Sequence, residues 1–126
     1  MPFFEKPRGE EAKVYGTIAR FKLKKECLRD FLALGKEWDE HERVRTAGYI
    51  NSEILWEDKE AGRACLVVHF TSKDAYFKNA VSPEQDRFYR RMRACMEDDP
   101  EWIDGTYQPW DSPYGRPPAW AETVER

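Results

Sequence analysis

Residues 64–80 read ACLVVHFTSKDAYFKNA and pass from a strand pattern to a helix pattern within a few residues. The nearly unbroken apolar run over 64–71 is typical of a strand that is buried on both faces. Ser72 supplies a side-chain oxygen of the kind that caps a helix, which predicts a short helix over 73–80. A strand that is buried on both faces must lie in a sheet that is covered on both sides.

The chain before this stretch predicts a strand, a helix and a second strand. Residues 13–23 are rich in β-branched and aromatic types, which predicts the first strand. Apolar residues recur every three or four positions over 26–45, which predicts an amphipathic helix that Gly48 ends. Residues 49–57 predict the second strand, and a polar hairpin loop joins it to the third.

The chain after this stretch predicts one more helix and one more strand. Ser82 and Pro83 suit the cap and the first turn of a helix, and Gln85 can complete a capping box, so helices are expected over 73–97. Residues 102–108 predict the fourth strand. The order β-α-β-β-α-β predicts an α+β, ferredoxin-like fold, in which a four-stranded antiparallel sheet carries its helices on one face.

The second face of this sheet also carries apolar side chains. On the first strand, Val14 and Ile18 oppose Tyr15, Ala19 and Phe21, because neighbouring side chains of a strand alternate between faces. Without a cover, one of these two layers would be exposed to water. A second copy of the sheet would cover it, so we expect a homodimer through the sheet faces, a dimeric α/β barrel.

The predicted domain occupies residues 13–108 and is flanked by two extended arms. Residues 1–12 are charged and contain two Pro and one Gly. Residues 109–126 are rich in Pro and carry Trp110, Tyr114 and Trp120, so we expect this arm to pack across its own domain or the partner subunit.

The composition argues against several classes of function. A net charge of −3 opposes a broad nucleic-acid or anionic-membrane surface, and no apolar run approaches the length of a membrane span. The N-terminus does not resemble a signal peptide, so a cytoplasmic location is expected. Cys27, Cys65 and Cys95 are far apart, which argues against a disulfide framework or a zinc site, and the first and last fall on apolar helix stripes.

The strand-to-helix junction over 68–77 resembles that of the antibiotic biosynthesis monooxygenase-like family. Members commonly have an aromatic residue, then a Ser cap, then an Ala and an aromatic early in the helix. Phe70, Ser72, Ala75 and Tyr76 stand at these places. The resemblance, which extends to the element order, implies a dimeric α/β barrel. It also implies a monooxygenase or related enzyme that needs no cofactor and acts on a hydrophobic aromatic or polyketide-like small molecule.

Other branches of the family imply other functions. The haem-degrading branch uses an Asn, a Trp and a His, which align with Ala19, Asn79 and a position near Tyr89, so all three differ here. The Trp that cofactor-free oxygenases use at the junction is Phe70 in this chain. A non-catalytic small-molecule-binding or stress-related barrel is therefore the alternative function.

The two histidines are candidates for chemistry. His69 lies on the third strand and could act as a base or hydrogen-bond donor towards a phenolic substrate, or could be a satisfied core or interface histidine. His41 lies three residues after Trp38 on the helix stripe, so both could line a cavity, although a His near a helix C-terminus is also favoured by the dipole. No short ligand motif predicts a metal site.

The remaining candidates are one basic residue and several aromatics. Arg20 could hold an enolate or phenolate, or pair with Glu53 across strands. Aromatic residues could surround an apolar substrate pocket or simply form the core. These candidates for substrate binding are Trp38, Trp56, Phe70, Tyr76 and Phe77. The arginines of the last helix are interleaved with acids, which favours a solvated face, and the third strand lacks the pattern of an RNA-recognition motif.

Overall fold

The computed structural model describes residues 13–111, 118, 120 and 121. Its strands and helices follow one another in the predicted order. They are β1 (Tyr15–Lys22), α1 (Leu28–Glu37), β2 (Tyr49–Trp56), β3 (Arg63–Phe70), α2 (Lys73–Ala80), α3 (Pro83–Arg93) and β4 (Glu101–Thr106). The predicted arm over 1–12 lies outside the described residues, as does most of the arm over 109–126.

The four strands form one antiparallel sheet in the order β2-β3-β1-β4. The two central strands are therefore β1 and β3, which is the arrangement of the ferredoxin-like fold. Ile18 of β1 stands between Val67 of β3 and Ile103 of β4 in the register. The predicted α+β class, with a four-stranded antiparallel sheet and helices on one face, is confirmed.

The core lies between the helices and the inner face of the sheet, to which β1 contributes Tyr15, Ala19 and Phe21. Phe21 is fully buried and its ring lies 5.3 Å from that of Phe31 on α1. Burying an aromatic side chain of this size stabilises the fold by about 1.5–3 kcal/mol. The alternation of residues predicted for the first strand is thus confirmed, and its odd-numbered positions face the helices.

The helix predicted over 26–45 is less regular than its apolar stripe suggested. A 3₁₀ turn at Lys25–Cys27 leads into α1, which is followed by a π-helical segment, Trp38–Glu42, and a second 3₁₀ turn, Arg43–Arg45. Gly48 follows with a φ of +83°, and a Cβ at this position would fall 2.5 Å from the Cβ of Ala75. A glycine is therefore required where the chain turns tightly against α2.

The two predicted helix caps are present. The Ser72 hydroxyl accepts a hydrogen bond from Ala75 N at 3.1 Å, and the Ser82 hydroxyl accepts one from Gln85 N at 3.1 Å. The predicted capping box of Gln85 does not form, because Ser82 N donates instead to Asn79 O at 3.0 Å. Helix α3 ends at Arg93, earlier than the predicted limit at residue 97.

Helices α1, α2 and α3 pack on the inner face of the sheet, and none of these three covers the outer face. Only the ends of β3, Ala64 and Phe70, are buried on the inner face, whereas the other β3 side chains are half-buried. On the outer face, Leu55 of β2 exposes 61% of its surface and Ile103 of β4 exposes 65%. None of the described helices has the length and apolar character needed to cross a membrane.

Candidate functional site

A cavity of about 690 Å³ lies between the helices and the inner face of the sheet. Small-molecule sites in proteins have volumes of roughly 300–1,000 Å³ and mostly apolar walls. Strands contribute Val68 and Leu66 to this wall, and helices contribute Leu34 and Met92. The cavity is therefore large enough for a ligand with several fused rings.

Aromatic rings form a continuous wall on one side of the cavity. The Trp38 ring lies 5.3 Å from that of Tyr49 and 5.4 Å from that of Phe88. The Phe70 ring meets those of Tyr49 and Tyr76 edge-on, each at 5.5 Å. Tilted and edge-on contacts of this kind fix ring orientations and stabilise pairs by about 0.5–1.5 kcal/mol. The wall is thus a preformed apolar surface.

Two polar atoms of the cavity residues are buried without a hydrogen-bond partner. They are the indole Nε1 of Trp38, which is a donor, and the amide Oε1 of Gln85, which is an acceptor. An unsatisfied buried polar group costs about 1–3 kcal/mol. A ligand or an ordered water molecule that bonded to either atom would recover part of this cost.

Tyr76 and Asp104 form a polar pair at the cavity wall. The Tyr76 hydroxyl donates to Asp104 Oδ1 at 3.3 Å. Burial raises the pKa of Tyr76 to about 12, and the nearby Asp104 carboxylate acts in the same direction. Tyr76 is therefore a neutral hydrogen-bond donor at ordinary pH. A carboxylate within reach of a bound phenol can accept its proton.

Three of the residues predicted for substrate binding gather at this cavity. Trp38, Phe70 and Tyr76 all contribute to its wall. Trp56 and Phe77 do not, and their side chains are about two-fifths exposed. Phe77 lies instead on Tyr15, with ring centroids 5.7 Å apart. The end of β3 and the start of α2 therefore border the cavity, whereas the sequence left open whether these aromatic residues line a pocket or form the core.

His69 lies on the outer face of the sheet, away from the cavity. Its Nδ1 lies 3.0 Å from Asn51 Oδ1, and its ring stacks against that of Tyr107 with centroids 4.1 Å apart. Gly16 lies beneath this stack, where a Cβ would fall 1.8 Å from Val68 O. The catalytic role predicted for His69 therefore requires a site on the outer face.

Arg20 lies on the same outer face and makes a bidentate pair with Glu57. The guanidinium Nε and Nη2 donate to its two carboxylate oxygens at 2.6 and 2.9 Å. This pair holds the pKa of Glu57 below its usual value. The predicted pair with Glu53 is wrong. The register places Arg20 opposite Cys65 and Glu53 opposite Val67, and the guanidinium turns towards the other end of β2.

His41 does not share the cavity with Trp38. It lies in the π-helical segment at a shallow surface depression, and its side chain is 66% exposed. A π turn is wider than an α turn, so residues three apart no longer lie on one face. This irregularity separates the two side chains, so of the two alternatives for His41 the structure favours the exposed histidine near the end of the helix.

Sequence patterns did not single out several polar residues of the cavity wall, among them Thr17, Asp104 and the amide of Asn79. The register offers a signal for two of these residues. Thr17 pairs with Asp104 across β1 and β4, so their side chains share the inner face. Among the described residues, no three His, Cys, Asp or Glu side chains gather closely enough to hold a metal ion.

Comparisons with known proteins identify the fold. No family model matches the chain, and no curated protein matches it in sequence. Among solved structures, a protein from Caulobacter crescentus CB15 that carries the name antibiotic biosynthesis monooxygenase superposes with a TM-score of 0.66. It has 13% sequence identity, and the match covers 77% of this chain and 92% of that one.

Two further structures have the same fold. SnoaB, a cofactor-independent oxygenase from Streptomyces nogalater, superposes with a TM-score of 0.60 at 15% identity, over 80% of this chain and 96% of its own. A conserved protein from Methanosarcina mazei Go1 gives 0.63 at 15% identity, over 74% and 90%. The family resemblance predicted from the strand-to-helix junction is confirmed as a likeness of fold.

Proposed function

We propose that the cavity binds a hydrophobic aromatic or polyketide-like small molecule and that the protein oxygenates it without a cofactor. The observation that carries this proposal is the partly open, aromatic-walled cavity of about 690 Å³, with a Tyr76–Asp104 pair at its wall. The fold shared with SnoaB, a cofactor-independent oxygenase, supports the same conclusion.

The chemistry that suits this wall begins with a proton transfer. Asp104 would accept the proton of a bound phenol. The neutral Tyr76 hydroxyl, which donates to Asp104 in this structure, would then turn and donate its hydrogen bond to the oxyanion that forms. The resulting electron-rich ring supplies the electrons that reduce dioxygen. For a naphthol the balance is one dioxygen consumed, one oxygen atom added to the ring as a quinone carbonyl, and one water released.

The proposal is tested by oxygen uptake with an electron-rich naphthol and a naphthohydroquinone as probes. We expect uptake above the buffer blank, and with ¹⁸O₂ we expect one labelled atom in the quinone formed from the naphthol. Asp104→Asn should lower turnover by about 10²-fold or more, because the general base is lost.

Asp86→Asn is the matched control, since its carboxylate also borders the cavity but binds Arg90 at 2.9 Å. It should keep turnover within a few-fold of wild type. Wild-type turnover in Asp104→Asn would exclude Asp104 as the base. His69→Ala in the same assay tests the role predicted for His69, and we expect the cavity reaction to survive this change.

A non-catalytic binding protein is the second candidate. Its support is that none of the described residues that line the cavity is a His, Lys or Cys, which are frequent catalytic groups. Saturable binding of both probes without oxygen uptake would favour this function over oxygenation.

A further inference from the structure

Two cysteines that are distant in the sequence pack into the same part of the core. Cys95 belongs to the buried core cluster, and Cys27 packs against that cluster. The backbone fixes this meeting, because Lys24 N donates to Cys95 O at 2.8 Å and Cys27 N donates to Lys24 O at 3.0 Å. The two side chains therefore lie close together against the same core cluster.

The two thiols differ in their exposure. Cys27 is half-buried at the start of α1, whereas Cys95 is 6% exposed just after α3. Burial, together with the adjacent Cys27 thiol, raises the pKa of Cys95. A dissolved oxidant therefore has access to the Cys27 thiol, whereas the Cys95 thiol is protected from solvent.

We propose that Cys27 and Cys95 are a redox modification site, at which hydrogen peroxide forms a reversible disulfide. The Cys27 thiolate attacks peroxide, which takes two electrons and leaves as hydroxide, and Cys27 becomes a sulfenic acid. The Cys95 sulfur then attacks the Cys27 sulfur, and the sulfenic oxygen leaves as water. A dithiol reductant reverses the bond by supplying two electrons and two protons.

This bond would tie together two helices that wall the cavity. Cys27 leads into α1, which contributes Phe31 to the wall, and Cys95 follows α3, which contributes Met92. The site itself does not depend on the proposed function. Oxidation would restrict how far the two helices can separate, because the link closes a long loop of chain.

The test treats the purified full-length protein with hydrogen peroxide and counts thiols in denaturant. We expect the three cysteines per chain to fall to one titratable thiol. The intact mass should drop by two hydrogen atoms, and peptide mapping should recover a linked Cys27–Cys95 peptide that a dithiol separates. The melting temperature should rise by about 5 °C or more, since a disulfide across a long loop constrains the unfolded chain.

Two variants make the result decisive. Cys65→Ser should form the same disulfide with no free thiol left, because Cys65 lies on the outer face of the sheet. Cys27→Ser, at the more exposed of the two positions, should form none. A peroxide-treated protein that carries sulfinic acid at Cys27 without a link to Cys95 would overturn the proposal, as would a link that includes Cys65.

Discussion

Tyr76 and Asp104 are the residues on which the chemistry of the cavity depends. Their hydrogen bond joins helix α2 to the edge strand β4, so the pair forms only when both layers are in place. Tyr and Asp are both common on protein surfaces. These two residues matter for the proposed chemistry because they lie together at the cavity wall. Tyr76 and Asp104 both border a mostly apolar, partly open cavity, so a bound ring would displace water from the apolar wall beside them.

The raised pKa of Tyr76 predicts a loss of stability at high pH. Its pKa is about 12 in the folded chain, against an ordinary value of 10.0. The unfolded chain therefore loses the phenolic proton first, so the contribution is full below pH 10 and is lost as pH rises towards 12. Urea unfolding at pH 9, 10 and 11 should show a decline that is shallower in Tyr76→Phe. An identical pH slope in both proteins would contradict this assignment.

Individual side chains were predictable where strand alternation or the pattern of the strand-to-helix junction places them. Phe70 and Tyr76 follow directly from the junction between β3 and α2. Alternation does not say which face of a sheet borders a cavity, and for that reason His69 and Arg20 were equal candidates before the helices were placed. Both lie on the outer face, where His69 contacts Asn51 and Tyr107. Arg20 is paired there with Glu57.

At the scale of elements, the strands and caps were the predictable part. The ends of β2, β3 and α2 differ from their predicted limits by one residue or less, because side-chain oxygens and turn residues act locally. The π-helical segment Trp38–Glu42 was not predictable in the same way. The stripe through Leu34, Trp38 and His41 keeps a spacing of four and three, which a regular α-helix fits equally well.

The π-helical segment matters because it sets the direction of one wall residue. Trp38 begins the segment and turns its ring onto Tyr49 and Phe88, while His41 turns to solvent. π turns are often found at functional sites, where they redirect a side chain. The sequence could therefore identify the aromatic content of the cavity, although it could not separate wall residues from surface residues on this helix.

At the scale of the whole molecule, the outer sheet face is the unexplained surface. It combines exposed apolar side chains such as Leu55 and Ile103 with ion pairs such as Arg20–Glu57. The proposed homodimer would cover these residues with a second copy of the sheet. Trp110 is 96% exposed and Trp120 66%, whereas Ala121 is buried, so the expected packing of the C-terminal arm across its own domain or the partner subunit stays a prediction. Tyr114 lies outside the described residues.

If two chains pair through the outer face, a charged side chain introduced on that face should dissociate the dimer. Light scattering should give about twice the 15.0 kDa chain mass at micromolar concentration. Ile103→Asp should shift the protein to monomer, because a buried unpaired charge is costly at an interface. Val81→Asp, at a side chain 79% exposed on the helix side, should leave the dimer intact. A wild-type monomer, or dissociation by both variants alike, would contradict assembly through this face.

If the cavity between the helices and the sheet is the ligand site, filling it should weaken ligand binding. Gly35 is the position at which this can be tested most directly. Gly35 borders the cavity on α1, and a Cβ there meets no atom within 4 Å. Gly35→Ala adds only that atom and should stabilise the helix by up to about 1 kcal/mol, whereas Gly35→Phe should place a ring in the cavity.

The measurement is the dissociation constant of the naphthol probe by tryptophan fluorescence, with melting temperatures to verify folding. We expect Gly35→Ala to bind the probe within about threefold of wild type and Gly35→Phe to bind it at least about tenfold more weakly. A folded Gly35→Phe protein with wild-type affinity would contradict it, since the ligand would then bind elsewhere.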